Sequence, residues 1–164
     1  MSNVSDTVRE RIMDHLHTRF KDVQNGTDDH IVTWNVVERR ILTDEEQRLG
    51  PSLSLLDVSE QKSAEVGHSR STMQVVTEFW LRPTLTDNPS VILNRIMGDV
   101  QKTMTSDPHS TVTTSPLCQL TVDIRELRNE FDIDSAGDFL VGGMVVWEVL
   151  YRHQFADPTK LPGE

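Results

Sequence analysis

Apolar residues recur at a spacing of four in two segments of the chain and predict two amphipathic helices. The first helix is expected over residues 3–20, where one apolar stripe consists of Val4, Val8, Ile12, Leu16 and Phe20. The segment 24–29 ends this helix, because Asn25-Gly26 accepts positive φ. The second helix is expected over 89–106, with a stripe made of Leu93, Met97, Val100 and Met104.

Five other segments have the composition and the alternation of β-strands. In chain order they are 30–40, 52–59, 71–82, 117–127 and 139–155. The last segment is apolar on both faces, which predicts an interior strand, and its Gly142-Gly143 pair predicts a bulge or a close approach of other backbone. The polar segment 60–70 is longer than a tight hairpin needs, so it is predicted to be a loop that forms a contact surface.

The order of these elements is α-β-β-β-α-β-β. Because the strands mostly follow one another through short turns, the pattern predicts an α+β fold, with a mainly antiparallel sheet of about five strands and both helices packed on one face. A chain of 164 residues is long enough for one such domain. We expect the domain over 1–154 and a polar C-terminal tail over 155–164.

The charge balance narrows the classes of partner. The formal net charge is −10, whereas a protein that binds nucleic acid normally presents a basic face. No apolar run reaches the roughly 18 residues of a membrane span, and the first residues lack a secretory pattern, so a cytoplasmic chain is expected. A single cysteine, Cys118, excludes a disulfide within the chain and is expected to be buried.

An acidic stretch, "NEFDIDSAGDF" at 129–139, allows three interpretations. A calcium-binding loop counted from Asp132 fails at its fifth and twelfth positions, which are Ala136 and Gly143. A general acid–base pair lacks a nearby nucleophile, histidine or basic partner. The favoured interpretation is the acidic tip of a β-hairpin that joins 117–128 to 139–152.

No pattern of catalytic residues stands out. The six histidines lack metal-site spacing, and no GxSxG, HExxH, CxxC or glycine-rich phosphate loop occurs. We therefore expect no enzymatic activity, no metal and no cofactor.

The C-terminal part of the chain resembles a known family. The helix segment "NPSVILNRIMGDVQKTMTSDP", the pattern E-x-DID-x-x-GD and the strand ending "WEVLYRHQFADP" are similar to the tail-terminator (tail-completion) proteins of long-tailed bacteriophages. The resemblance covers residues 71–158 by motif and the rest of the chain by the order of its elements.

This resemblance implies a structural virion protein that forms a hexameric ring on the tail tube, ends tube polymerisation and docks the head/neck connector. It implies a location at the head-proximal end of the tail, after assembly in the host cytoplasm. Six chains would carry a formal charge of about −60, so DNA would pass through the ring without specific binding. The implied contacts with other subunits or partners lie at 59–71 and 129–138, and the candidate residues are Glu60, Lys62, Glu65, His68, Arg70, Glu130, Asp132, Asp134 and Asp138.

Two alternatives stay open. One is a head-closure or neck connector protein of the same particle. The other is a small ligand-binding or enzymatic α+β domain.

Overall fold

Three helices and five strands make up the described part of the chain in the computed structural model, which describes residues 6–27, 29–84, 87–105, 120–134 and 140–163. The predicted positions of Val4, Cys118 and Asp138 lie outside these residues. The elements are α1 (Val8–Asp22), β1 (Val36–Glu38), α2 (Asp44–Arg48), β2 (Ser52–Glu65), β3 (His68–Leu81), α3 (Pro89–Thr105), β4 (Thr121–Asp134) and β5 (Leu140–Gln154).

The five strands form one sheet in the order β1-β2-β3-β5-β4. Strands β2 to β5 pair antiparallel, which confirms the predicted α+β class and the mainly antiparallel sheet. The short strand β1 pairs with β2 in parallel, so the sheet is mixed. The prediction that the last strand, β5, is interior is also confirmed, because it lies between β3 and β4.

The parallel β1–β2 pair requires a crossover, and residues 39–51 form it. This crossover contains the short helix α2, which the sequence pattern missed. A capping box begins α2: the Glu46 N–H donates to Thr43 Oγ1, and the Thr43 N–H donates to the Glu46 carboxylate. Arg40, 2.8 Å from the same carboxylate, and Thr43 hold the pKa of Glu46 down to about 2. The Ser54 hydroxyl of β2 donates to the Arg40 carbonyl at 2.6 Å, which fixes the crossover against the sheet.

The helices α1 and α3 cover one face of the sheet, here called the inner face. Their apolar stripes are buried as predicted, at Val8, Ile12, Leu16, Phe20, Leu93, Met97, Val100 and Met104. Alternate residues of β3 and β5 complete the core, which contains Met73, Val75, Phe79, Val145, Trp147 and Val149. The opposite face carries neither α1 nor α3 and is called the outer face.

The predicted strand at 30–40 is wrong over most of its length, because only Val36–Glu38 is a strand. In the segment before this strand, the backbone of Ile31 and Val32 forms hydrogen bonds with a side chain and not with a neighbouring strand. The N–H groups of Ile31 and Val32 donate to the carboxylate of Asp99 on α3, at 2.7 and 3.0 Å. Asp99 is 4% exposed, so it satisfies the backbone of this segment inside the protein.

The predicted loop at 60–70 is also wrong, because β2 and β3 continue as a hairpin up to the Glu65–His68 pair. Gly67 supplies the positive φ of the turn, at +81°. The sequence lacks apolar alternation here because Ser59 and residues 61–64 are exposed to solvent. A strand that projects beyond the core shows no burial pattern.

The glycine pair of β5 allows a close approach, as predicted. A side chain on Gly142 would collide with the indole of Trp80 and come within 2.8 Å of the Phe79 carbonyl. One on Gly143 would lie 2.6 Å from the Phe79 ring. The two glycines therefore let the ends of β3 and β5 pack together.

The residues of the predicted C-terminal tail fold back onto the domain. The Val8 N–H donates to the carbonyl of Pro158 at 2.8 Å, and the Gln154 N–H donates to that of Lys160 at 2.7 Å. Leu161 packs against the core.

Replacement of the buried carboxylate tests its role in the fold. Asp99→Ala leaves the N–H groups of Ile31 and Val32 without an acceptor, so we expect the free energy of unfolding to fall by about 2–3 kcal/mol. Urea denaturation followed by circular dichroism measures this change. Asp99→Asn keeps one acceptor oxygen and should lose less. Equal stability of the alanine variant and the parent would contradict this role.

Candidate interaction surfaces

The outer face of the sheet is the largest surface without helical cover by α1 or α3. Its side chains alternate with the core residues of the same strands, and cross-strand pairing places them opposite one another. The crossover buries one corner, where Ser52 and Ser54 are 0% exposed. Elsewhere this face carries apolar side chains at Leu56, Val76, Met144, Val146 and Leu150. Its charged side chains are Glu65, Arg70, Glu78, Asp123, Arg125, Arg128, Glu130, Asp132, Glu148 and Arg152.

Three of these carboxylates gather at the end of the sheet where β3 finishes. Met144 of β5 lies between Glu78 of β3 and Glu130 of β4, and each of them is its cross-strand partner. Asp132 of β4 pairs with Gly142 of β5. Together with Trp80 they line an open groove of about 290 Å³. The indole N–H of Trp80 has no acceptor among the described residues. The groove therefore combines an aromatic wall with an acidic rim.

The carboxyl of Glu78 is the most perturbed group of the groove. Burial removes water from it, and the negative charge of Asp132 adds repulsion, so both raise its pKa above the ordinary value of 4.5. By contrast, Glu130 is 58% exposed and lies 3.1 Å from the guanidinium of Arg128. An incoming cation would relieve the repulsion at Glu78.

The opposite end of the outer face contains a mixed charge cluster centred on Glu65. A carboxylate oxygen of Glu65 lies 2.6 Å from His68 Nε2, and its guanidinium neighbours are Arg70 at 3.6 Å and Arg152 at 3.9 Å. Both arginines are nearly half exposed, so they can also meet a partner. Because two guanidinium groups surround one carboxylate, the charged groups of this cluster are positive on balance. Those of the groove end are negative on balance.

The candidate residues from the sequence fall in different places. Glu65, His68 and Arg70 belong to the cluster at the hairpin end, and Glu130 and Asp132 belong to the groove. For Asp134 the structure describes the backbone but not the side chain, and Asp138 lies outside the described residues. Whether any of them contacts a partner stays a prediction.

Glu60 has a role inside the subunit. Its side chain is 13% exposed and points to the inner face, where the Tyr151 hydroxyl donates to it. Arg9 of α1 lies 3.6 Å away and Lys62 lies 3.4 Å away. Arg9 also forms an ion pair with Asp57 at 2.6 Å. Glu60 therefore fastens α1 to the sheet, while Lys62 remains exposed.

Both long edges of the sheet lack a partner strand among the described residues. On one side β1 covers only Ser52–Ser54, which leaves β2 open from residue 55 to 65. On the other side no described strand pairs with the outer edge of β4. Strand β4 contains two bulges, at Val122 and Leu127, and β2 contains one, at Val58. Val58 is 54% exposed and Leu127 is 44% exposed. Sequence reasoning missed both residues, because only the strand register identifies a bulge.

The described residues provide no group of three His, Cys, Asp or Glu side chains that could bind a metal ion. Within the same ranges, no helix has the length and apolar character needed to cross a membrane.

Comparison with known proteins gives likenesses at the level of structure alone. No protein-family model matches the chain, and no curated protein matches its sequence. A similar solved structure is the sheath/tube terminator of an extracellular contractile injection system, PVC, in its extended state. The TM-score is 0.37 and the sequence identity 9%, over 96% of this chain and 60% of that chain. A likeness of this strength assigns no function.

The raised pKa of Glu78 predicts a pH dependence of stability. A carboxyl whose pKa is higher in the folded state stabilises the fold fully below its unfolded pKa, and this contribution is lost as the pH rises. Glu78→Gln removes the titration, so we expect the variant to gain stability relative to the parent between about pH 4 and about pH 7. Thermal unfolding at both pH values measures the difference.

Glu130→Gln is the matched control, because it removes the same charge from an exposed, arginine-paired position of the same groove. An equal gain in this control would attribute the effect to net charge. If Glu78→Gln shows no pH-dependent gain in stability, the raised pKa of Glu78 is refuted.

Proposed function

We propose that this protein is a structural subunit of a bacteriophage tail. In this proposal six copies form a ring that caps the tail tube, ends its polymerisation and offers a docking surface to the head-completion or neck connector protein. The virion location is the head-proximal end of the tail. The number of subunits and the identity of the partners derive from the resemblance of residues 71–158 to tail-terminator proteins.

The observation that carries the proposal is the pair of open edges on opposite sides of one sheet. A contact between β2 of one copy and β4 of the next uses two different surfaces, so each copy can bind one neighbour on either side. Repetition of such a heterologous contact closes a ring when the rotation completes a full turn without a rise along the axis, and otherwise gives an open filament. A sheet with one open edge would allow only pairs.

The surface charge fits a ring through which DNA moves. Each subunit has a formal charge of −10, and phosphate is repelled by a surface of that sign. At the hairpin end, Arg70 and Arg152 both lie within 4 Å of Glu65, whose carboxylate offsets part of their positive charge. We therefore propose that DNA passes without specific binding.

Light scattering across a concentration series tests the proposal, with and without tail tubes polymerised from the tube protein of the same virus. We expect six times the mass of one chain, either for the protein alone or for the protein bound at tube ends. Tube length gives a second readout, since a capping ring should shorten tubes when it is added during polymerisation.

Two other outcomes would change the assignment. A ring that ignores tubes but binds the connector would indicate a neck protein. A monomer at every concentration, with no effect on tubes, would refute the proposal and leave the groove at Glu78 and Trp80 as the candidate ligand site.

A further inference from the structure

The bulges at Val58 and Leu127 lie next to the same row of the sheet, one on either side of it because β2 and β4 run in opposite directions. Val75 of β3 pairs with Asp57 of β2 and with Trp147 of β5, and Trp147 pairs with Glu126 of β4. These four residues form one row across the sheet. Val58 follows Asp57 at one end of this row, and Leu127 follows Glu126 at the other end.

Both bulge residues are apolar where an open edge normally carries polar or charged side chains. Val58 is 54% exposed and its neighbour Ser59 is exposed; Leu127 is 44% exposed and stands between Glu126 and Arg128. An apolar side chain at a bulge of an open edge gains from cover by another surface. Two such residues beside one row match a neighbour that is rotated and shifted along the strands by only about one residue, or roughly 3 Å.

The strand directions also suit this contact. Three successive antiparallel pairings make β2 and β4 of one chain run in opposite directions. A neighbour generated by rotation about an axis roughly parallel to the strands therefore brings its β2 antiparallel to β4. Antiparallel strands can pair through closely spaced backbone hydrogen bonds, so this direction suits a contact between the two edges.

We propose that Leu127 of one copy packs against Val58 of the next copy, as the centre of the contact between β4 and β2. This inference rests on the proposed ring and names its subunit interface. The bulges interrupt a continuous ladder, so side-chain contact dominates at the centre. Backbone pairing is confined to the flanking residues, 59–61 of β2 and 124–126 of β4, because a second bulge at Val122 interrupts β4 beyond them.

Disulfide trapping in mixed samples tests the contact. All variants replace Cys118 with Ser and are verified by circular dichroism. Val58→Cys and Leu127→Cys are purified separately, mixed under assembly conditions with tubes absent or present, oxidised and run on a non-reducing gel. The control mixture contains Val91→Cys in place of Val58→Cys. This variant places the thiol on an exposed position of α3, which is not an edge strand.

We expect the mixture to shift from monomer to dimer mass, while either variant alone and the Val91 control mixture stay monomeric. The double variant Val58→Cys/Leu127→Cys should give a ladder that ends at the mass of the closed ring. Dimers from one variant alone would indicate pairing of like edges and overturn the inference.

The inference and the proposed function can fail separately. A ring seen by light scattering without any cross-link in the mixture would overturn this interface but leave the capping function in place. A monomer with no cross-link would overturn both.

Discussion

The pairing of β3 with β5 is the constraint on which the other features depend. It joins fourteen residue pairs, from His68–Gln154 to Leu81–Val141, between two hairpins that are otherwise local in sequence. On the inner side, the Trp147 indole donates to the Thr77 hydroxyl at 2.9 Å, with both side chains fully buried. This bond satisfies two polar groups in the core and ties the two strands together in one register.

Both candidate surfaces result from that register. The acidic groove needs Glu78 from one hairpin and Asp132 from the other, and β5 lies between them. The positions of Val58 and Leu127 relative to each other are likewise defined only by the pairing of all four long strands. A shift of one residue between β3 and β5 would move every side chain to the other face, so the core and these surfaces are specified together.

The charged residues divide into those that hold the subunit together and those that remain for contacts. Asp99 accepts hydrogen bonds from backbone N–H groups, and Glu60 accepts one from Tyr151. Arg9 forms an ion pair with Asp57 of the sheet. The Glu65 cluster and the groove lie at opposite ends of a face that α1 and α3 leave uncovered. This separation of roles explains how an acidic chain can keep a stable core and still present a patterned outer surface.

Much of the fold follows from local sequence. The spacing of apolar residues in α1 and α3 and the alternation in β3 and β5 are consequences of burial on one face, and burial is what periodicity records. The same alternation in the segment 71–82 places Glu78 and Trp80 on the face of the strand opposite to Phe79. Where a segment is exposed on both sides, as at residues 61–64, the pattern disappears and a strand is mistaken for a loop.

The tertiary structure decided what depends on distant partners. Asp99 lies 67 residues from Val32 in the chain, and its carboxylate turns a segment rich in β-branched residues away from the sheet. The strand order β3-β5-β4 brings Asp132 beside Glu78, and the register exposes Val58 and Leu127. Sequence by itself determined which apolar residues of α1 and α3 are buried, because burial of one face leaves a local periodic signal. Which surfaces meet was decided by long-range pairing, whose geometry no local pattern contains.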